Sequence, residues 1–333
     1  MTPDRRHTLR TLAAALAAPL APALVPSFAL AQPRPSAAAW PTRPLHLLVG
    51  FPGGSTPDIS ARLLAEPLAK ALGQPVVVDN KPGASGNIAA DQVAKATDEH
   101  TLGVLINGNL TSAALLNKAL PYRPERDFVL ISQLTSAPLV LVAPASLPDG
   151  AAFFDAGRAA GDKWNYGSVG IGSVGHLGME LLCSKTGLKA VHVPYNGNPQ
   201  VITALINGQV QLALIPPGLA MPQVKAGKLR VLAVTMPTRS ALLPDIPVLA
   251  DTVPNFDVSA WTGLFLPGKA PPASAQKLYE AMRATLATPE VRDKLASIGF
   301  DIQPLGPDDF GKYVRNEIRT WNGLVKDAGI KPE

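Results

Sequence analysis

Two turns that combine glycine with serine are the parts of this sequence best suited to bind a small ligand. The first follows an apolar run at residues 45–50, which is typical of a buried strand. Its residues are Gly53, Gly54, Ser55, Thr56, Pro57 and Asp58. The pattern predicts a helix with Thr56 as its N-cap and Pro57 as its first residue, so that Asp58 lies in the first helical turn. Glycines before a helix leave backbone N–H groups accessible, and the turn is therefore a candidate carboxylate site.

The second turn repeats this pattern of strand, turn and helix at residues 164–177. Its candidate ligand-binding residues are Ser168, Gly172, Ser173, Val174 and His176. Amide groups and serine hydroxyls at a helix start can bind an anion here in the same way as in the first turn. For Asp58 and His176 a second interpretation is open, in which each only stabilises the first turn of its own helix.

The second turn also matches a dinucleotide-binding fingerprint, because Gly170, Gly172 and Gly175 have the spacing G-x-G-x-x-G. An NAD-linked oxidoreductase is therefore the competing hypothesis. That fingerprint requires an acidic residue at the end of the following strand, to bind the ribose. The next predicted strand, at residues 190–194, is followed by Tyr195 and Asn196, neither of which is acidic. The sequence thus favours anion binding without a cofactor.

Other catalytic and metal-binding patterns are incomplete. Ser55 lies on a sharp turn but lacks the glycine two residues later that a nucleophile elbow requires, so its hydroxyl is interpreted as a cap. No Lys-Ser/Thr pair follows the first turn, which excludes a nucleotide P-loop. The histidines are dispersed and none forms a His-x-x-x-His or Glu-x-x-His pair. No catalytic residue, metal or cofactor is expected.

Strands and helices alternate through residues 41–142 and again through residues 151–235. This order predicts two α/β lobes, each with a parallel sheet covered by helices, joined by two crossing strands. Lobe 1 is predicted at residues 40–140 plus 262–333, and lobe 2 at residues 141–261. Two crossings form a hinge, which places the ligand in the cleft at the carboxyl ends of the strands. Pro67, inside the first helix, predicts a kink or a break.

The N-terminal 31 residues are predicted to be an export signal. Arg5, Arg6 and Arg10 precede an Ala/Leu stretch with a small-x-small site before Gln32. The adjacent arginines also hint at twin-arginine export. The expected mature protein is periplasmic and monomeric.

The remaining composition limits the possible partners. The chain of 333 residues is 47% apolar and 17% charged, as expected of a globular protein. Its formal net charge of +5 falls to +3 without the three arginines and one aspartate of the signal. No basic run interleaved with aromatic residues suggests nucleic-acid binding. The single cysteine, Cys183, excludes an internal disulfide.

Seven short segments in a fixed order resemble the Bug family, the extracytoplasmic solute receptors of tripartite tricarboxylate transporters. They are GFPGGSTPD (50–58), VDNKPGASGNIA (78–89), LPYRP (120–124), HVPYNG (192–197), GQVQL (208–212), AGKLR (226–230) and LPDIP (243–247). The resemblance covers essentially all of residues 40–330. It implies a two-lobed periplasmic binding protein that captures a small carboxylate for a membrane permease. A ligand-binding subunit of a sensory system is an alternative that the sequence does not separate from it.

The resemblance also implies which residues hold the ligand. In lobe 1 they are Gly54, Ser55, Thr56, Pro57 and Asp58, and in lobe 2 they are Ser168, Gly172, Ser173, Val174 and His176. Three residues depart from the family pattern. Ser55 replaces a common glycine, and Val169 and Ile171 replace small polar residues. These departures predict a less polar pocket than that of a dicarboxylate or tricarboxylate receptor.

Overall fold

The computed structural model describes residues 40–236, 243–297, 299–300, 302 and 304–327. The predicted export signal, and most of the short strand that the sequence predicts near residues 301–303, lie outside them. The strands are β1 (Leu45–Val49), β2 (Val76–Asn80), β3 (Thr101–Ile106), β4 (Phe128–Pro138), β5 (Val140–Pro144), β6 (Asn165–Ser168), β7 (Val191–Pro194), β8 (Leu212–Ile215), β9 (Leu229–Val234) and β10 (Ser259–Pro267). The helices are α1 (Thr56–Leu72), α2 (Asn87–Lys95), α3 (Asn107–Leu110), α4 (Ala113–Leu116), α5 (Gly150–Ala160), α6 (Val174–Thr186), α7 (Asn198–Ile206), α8 (Pro217–Lys225), α9 (Pro272–Ala287), α10 (Pro289–Ser297) and α11 (Pro307–Asp327).

The strands form two five-stranded sheets, which define two α/β lobes. The order is β2-β1-β3-β10-β4 in lobe 1 and β7-β6-β8-β5-β9 in lobe 2. β1 is parallel to β2 and β3, and β6 is parallel to β7 and β8. β10 and β5 are antiparallel to both of their neighbours. The prediction of parallel sheets is therefore wrong for these strands. Each enters its sheet from the other lobe rather than through a helical crossover, so its direction is not fixed by such a crossover.

The chain passes between the lobes at two places that are hydrogen-bonded to each other. Leu139 separates β4 from β5, and Thr235 follows β9. The buried hydroxyl of Thr235 accepts a hydrogen bond from the Leu139 amide at 2.9 Å and contacts the Val258 carbonyl oxygen at 2.5 Å. β5 starts at Val140 and β10 pairs with β4 from Ser259. β5 therefore starts one residue before the predicted start of lobe 2 at residue 141. β10 starts three residues before the predicted return to lobe 1 at residue 262.

Helix α1 differs from the prediction at its start and at its proline. Ser55, not Thr56, is the N-cap, so the helix begins one residue earlier and Pro57 is its second residue. The helix continues through Pro67 to Leu72, so of the two predicted effects of this proline, a kink or a break, the break does not occur. Leu64 and Leu68, which flank this proline, are almost completely buried in the lobe 1 core. Their packing stabilises the helix despite the hydrogen bond that proline cannot make.

Four clusters of buried side chains form the core of the described residues, and two of them belong to each sheet. None of the helices in this part of the chain combines the length and the hydropathy that a membrane-spanning helix requires.

Candidate functional site

A cavity of about 70 Å³ lies between the two lobes, where β1, β3, β6 and β8 end. Both of the turns singled out in the sequence reach it. Ser55, Thr56 and Pro57 line it from lobe 1, and Ser173 and Val174 line it from lobe 2. None of the residues that line this cavity is Lys, Arg, His, Asp or Glu. Any ligand in it therefore meets only neutral groups.

The first turn presents two hydroxyl groups that are buried but unpaired. Ser55 is 2% exposed and Thr56 is 8% exposed, and neither hydroxyl has a hydrogen-bond partner in the described part of the chain. An N-cap serine usually accepts a hydrogen bond from the second or third N–H of its helix. Here the second residue is Pro57, which has no N–H, and Ser55 makes no side-chain cap. Because an unpaired buried polar group costs about 1–3 kcal/mol, these hydroxyls indicate a binding site.

Asp58 lies outside the cavity lining and holds the first turn in place through hydrogen bonds. Its carboxylate accepts hydrogen bonds from the Gly54 amide at 2.9 Å, from Asn80 Nδ2 at 2.8 Å and from Arg62 Nε at 3.0 Å. Burial raises the pKa of Asp58, but these hydrogen bonds outweigh burial and hold the pKa below its ordinary value. Gly54 has φ 79°, a left-handed conformation that glycine adopts without strain. The carboxylate therefore fixes the backbone of the turn.

The second turn is held by hydrogen bonds within lobe 2. Ser173 is the N-cap of α6 and accepts a hydrogen bond from the His176 amide at 3.2 Å. The Gly172 amide donates to His176 Nδ1 at 3.2 Å. Ser168 Oγ and His192 Nε2 share a hydrogen bond of 2.7 Å. Unlike Ser55, Ser173 thus uses its hydroxyl to cap its own helix.

His176 and His192 lie side by side behind the second turn. Their ring centroids are 4.2 Å apart, and the His192 ring stacks on Tyr166 at 4.9 Å. Burial, with a smaller contribution from His176, lowers the pKa of His192 to about 3. His192 is therefore neutral at physiological pH and contributes packing and one hydrogen bond, not charge.

The two lobes touch beside the cavity. The Ser112 hydroxyl of lobe 1 donates to the carbonyl oxygen of Gly172 in lobe 2. A Cβ on Gly108 would lie 2.8 Å from that same oxygen, so only glycine allows this approach. A larger crevice of about 560 Å³ lies outside this contact, but none of the first-turn residues 53–58 borders it. The smaller cavity is therefore the candidate site.

Comparisons with known proteins show the family of this chain. The family model described as "Tripartite tricarboxylate transporter family receptor" matches residues 60–330. The chain belongs to this receptor family. BugT from Bordetella pertussis is 31% identical over 303 residues, which cover 89% of this chain and 92% of BugT. The resemblance to the Bug family is thereby confirmed.

Solved structures of similar proteins confirm the two-lobed α/β fold. Rpa4515 from R. palustris, solved with adipate, has a TM-score of 0.85 and 33% identity, covering 88% of this chain and 100% of its own. MatC from Rhodopseudomonas palustris, solved with bound malate, has a TM-score of 0.82 and 33% identity, covering 86% and 100%. The receptor thus shares its fold with proteins that bind small carboxylates.

The structure of this receptor divides the ten candidate residues into two groups of five. Ser55, Thr56, Pro57, Ser173 and Val174 line the cavity. The other five lie outside its wall and shape or support the turns: Gly54, Asp58, Ser168, Gly172 and His176. Of the two interpretations left open for Asp58 and His176, the structure favours the structural one, because each holds the turn beside its own helix.

Several lining residues have no local signal in the sequence. Thr135 and Thr262, whose hydroxyls are 2.7 Å apart, are brought together only by the pairing of β4 with β10. Asn107 also lines the cavity, and it could have been found because it follows the carboxyl end of β3.

Trp261 forms part of the cavity wall, and its indole is hydrogen-bonded to the carboxylate of Glu317. The indole N–H of Trp261 donates to Glu317 Oε2 at 3.1 Å, and that of Trp321 donates to the same oxygen at 3.2 Å. Burial raises the pKa of Glu317, although both hydrogen bonds oppose the rise. Glu317 thereby attaches α11 to the wall of the cavity.

Proposed function

We propose that this receptor captures a small carboxylate between its lobes for uptake by a membrane permease, and that it is not an enzyme. The observation that carries the proposal is the pair of unpaired, buried hydroxyls of Ser55 and Thr56 at the cavity. A carboxylate oxygen accepts hydrogen bonds, so it can pair both groups. The carboxylates named for Rpa4515 and MatC support the same ligand class.

The neutral wall of the cavity is compatible with an anionic ligand. α1 and α6 both begin at the cavity, and the first N–H groups of a helix have no partner within the helix. These amides and the helix dipoles supply positive potential without a cationic side chain. Binding between the lobes also removes the ligand from water. A hydrogen bond to its charged group then contributes more, about 1.5–3 kcal/mol.

Calorimetric titration of wild type and a Ser55→Ala variant with a panel of carboxylates tests the proposal. Loss of one hydrogen bond to a charged group should weaken the affinity about 10- to 150-fold. The free energy of unfolding of the ligand-free protein should not fall and should rise by up to about 1–3 kcal/mol, because the variant removes a buried hydroxyl that has no partner and caps nothing. Ser60→Ala is the matched control, since Ser60 is buried in the same helix but donates to the Thr56 carbonyl oxygen at 3.0 Å. Equal affinity in all three proteins would contradict this site.

Export and the permease partner belong to the same proposal. We expect residues 1–31 to direct the protein to the periplasm and to be removed there. Mass spectrometry of protein from a periplasmic fraction should then find an N-terminus at Gln32. Full-length protein in the cytoplasm would contradict export. Capture of a sensor kinase instead of a permease by the native protein would favour the sensory alternative.

A further inference from the structure

Helix α11 contributes to the cores of both lobes. Near its start, Phe310 and Val314 are buried in a cluster of lobe 1 side chains. Near its end, Trp321 is 3% exposed and lies in a buried cluster that consists mainly of lobe 2 side chains, and Val325 packs against the same cluster. α11 is one continuous helix over this length. It therefore connects the two lobes at a place separate from the two crossings of the chain.

The attachment of α11 to lobe 1 is the firmer of the two. Glu317 accepts a hydrogen bond from the indole of Trp261, which belongs to β10 of lobe 1. The Trp261 ring also packs edge-on against Phe310, with ring centroids 5.4 Å apart. In the part of the chain that the structure describes, the attachment to lobe 2 consists of apolar contacts, because the indole N–H of Trp321 donates to Glu317 of its own helix. When the lobes separate about their hinge, a rigid helix cannot follow both, and the end with apolar contacts alone is the one that detaches.

The closed conformation is unfavourable unless a ligand occupies the cavity. Closure buries the hydroxyls of Ser55 and Thr56 without partners, whereas water pairs them in an open cleft. A ligand bound between the lobes removes this cost, and it reaches the cavity only through an open cleft. Closure and ligand binding are therefore linked, and each contact made only in the closed conformation adds to the affinity.

We propose that the end of α11 is a latch, which leaves lobe 2 when the cleft opens and docks Trp321 into the lobe 2 core when the lobes close on a ligand. The inference rests on one part of the proposed function, that a ligand binds between the lobes, and not on the class of that ligand. Trp321 does not line the cavity. It nevertheless contributes to the affinity, because its large apolar ring is buried only on closure.

A Trp321→Ala variant distinguishes a latch from a permanent core residue. If Trp321 docks only on closure, the unfolding temperature of the ligand-free variant should lie within a few degrees of wild type. Loss of a buried tryptophan then weakens the closed conformation alone, so Kd should rise about tenfold or more. The titrants are adipate and malate, the acids named for Rpa4515 and MatC.

Trp164→Ala is the matched control. Trp164 packs against the same cluster, with its ring centroid 5.0 Å from that of Phe153, but it belongs to lobe 2 itself. Its loss affects the open and closed conformations equally. The unfolding temperature of the ligand-free control should therefore fall clearly, while its Kd stays within about twofold of wild type.

The measurements without ligand decide the inference independently of the proposed function. The latch would be overturned if Trp321→Ala failed to fold, or if its unfolding temperature fell as far as that of Trp164→Ala. A wild-type Kd in Trp321→Ala would overturn it as well. If neither acid bound to wild type, this would count against the proposed function, and the ligand-free comparison would still test the latch.

Acrylamide quenching of tryptophan emission provides a second test that needs no destabilising substitution. The contribution of Trp321 is the difference between wild type and Trp321→Phe. In ligand-free protein we expect acrylamide to quench this contribution readily, although Trp321 is only 3% exposed in the closed structure. Shielding of Trp321 in the ligand-free protein would contradict its release from lobe 2.

Discussion

A Gly108→Ala substitution should weaken ligand binding by preventing the lobes from meeting. The new Cβ would lie 2.8 Å from the Gly172 carbonyl oxygen, whereas ordinary contacts begin at 3.4 Å, so the lobes must separate by about 0.6 Å there. Overpacking of this kind costs about 1–3 kcal/mol, and here the cost falls only on the conformation in which the lobes touch. The ligand is expected to bind that conformation, so Kd should rise about 5- to 140-fold.

Calorimetry and thermal unfolding together test this prediction. The unfolding temperature of ligand-free Gly108→Ala should match wild type, because beyond its own helix the nearest lobe 1 atom to the new Cβ is Ser112 Oγ, at 3.6 Å. Gly323→Ala on α11 is the control, since nothing lies within 4 Å of its Cβ position, and its Kd should not change. Wild-type affinity in Gly108→Ala would refute closure at this contact.

Two further predictions concern the residues behind the turns, and urea unfolding at several pH values checks both. Asp58→Asn should lower the free energy of unfolding by about 1–3 kcal/mol near pH 7. Because the folded-state pKa of Asp58 lies below its ordinary value of 3.8, only wild type should lose this contribution as the pH falls below about 4. His192 has a folded-state pKa of about 3, so the unfolded chain takes up a proton near pH 6.5 that the folded chain does not. Stability should fall by up to about 1 kcal/mol per pH unit between pH 6.5 and 5 in wild type, and less in His192→Gln. Equal slopes in wild type and either variant would contradict the corresponding pKa shift.

The alternation of strands and helices could be predicted from the sequence, but the directions of two strands could not. Local periodicity identifies an apolar segment such as β5 or β10 without indicating its neighbours. Both strands lie inside their sheets because the chain crosses between the lobes at Leu139 and again after Thr235. The continuity of α1 through Pro67 has the same kind of cause, since it depends on core packing and not on local propensity.

The turns of the site were predictable from glycine spacing, whereas the rest of the wall was not. Ser55 and Ser173 occupy equivalent positions as N-caps, and the sequence does not distinguish them. Ser173 accepts a hydrogen bond from the third N–H of α6, that of His176, whereas Ser55 makes no such bond to Asp58, the third residue of α1. Thr135 and Thr262 lie 127 residues apart, so only the completed sheet brings them to the cavity.

The charged side chains nearest the two turns lie outside the cavity lining. Arg62 and Asp58 pair with each other outside the cavity wall at the first turn, and the adjacent rings of His176 and His192 lie outside it at the second. The groups left at the front are hydroxyls and helix-terminal amides, whose geometry is fixed by those partners. A carboxylate in this cavity would therefore be bound by neutral donors of fixed position and not by a cationic side chain.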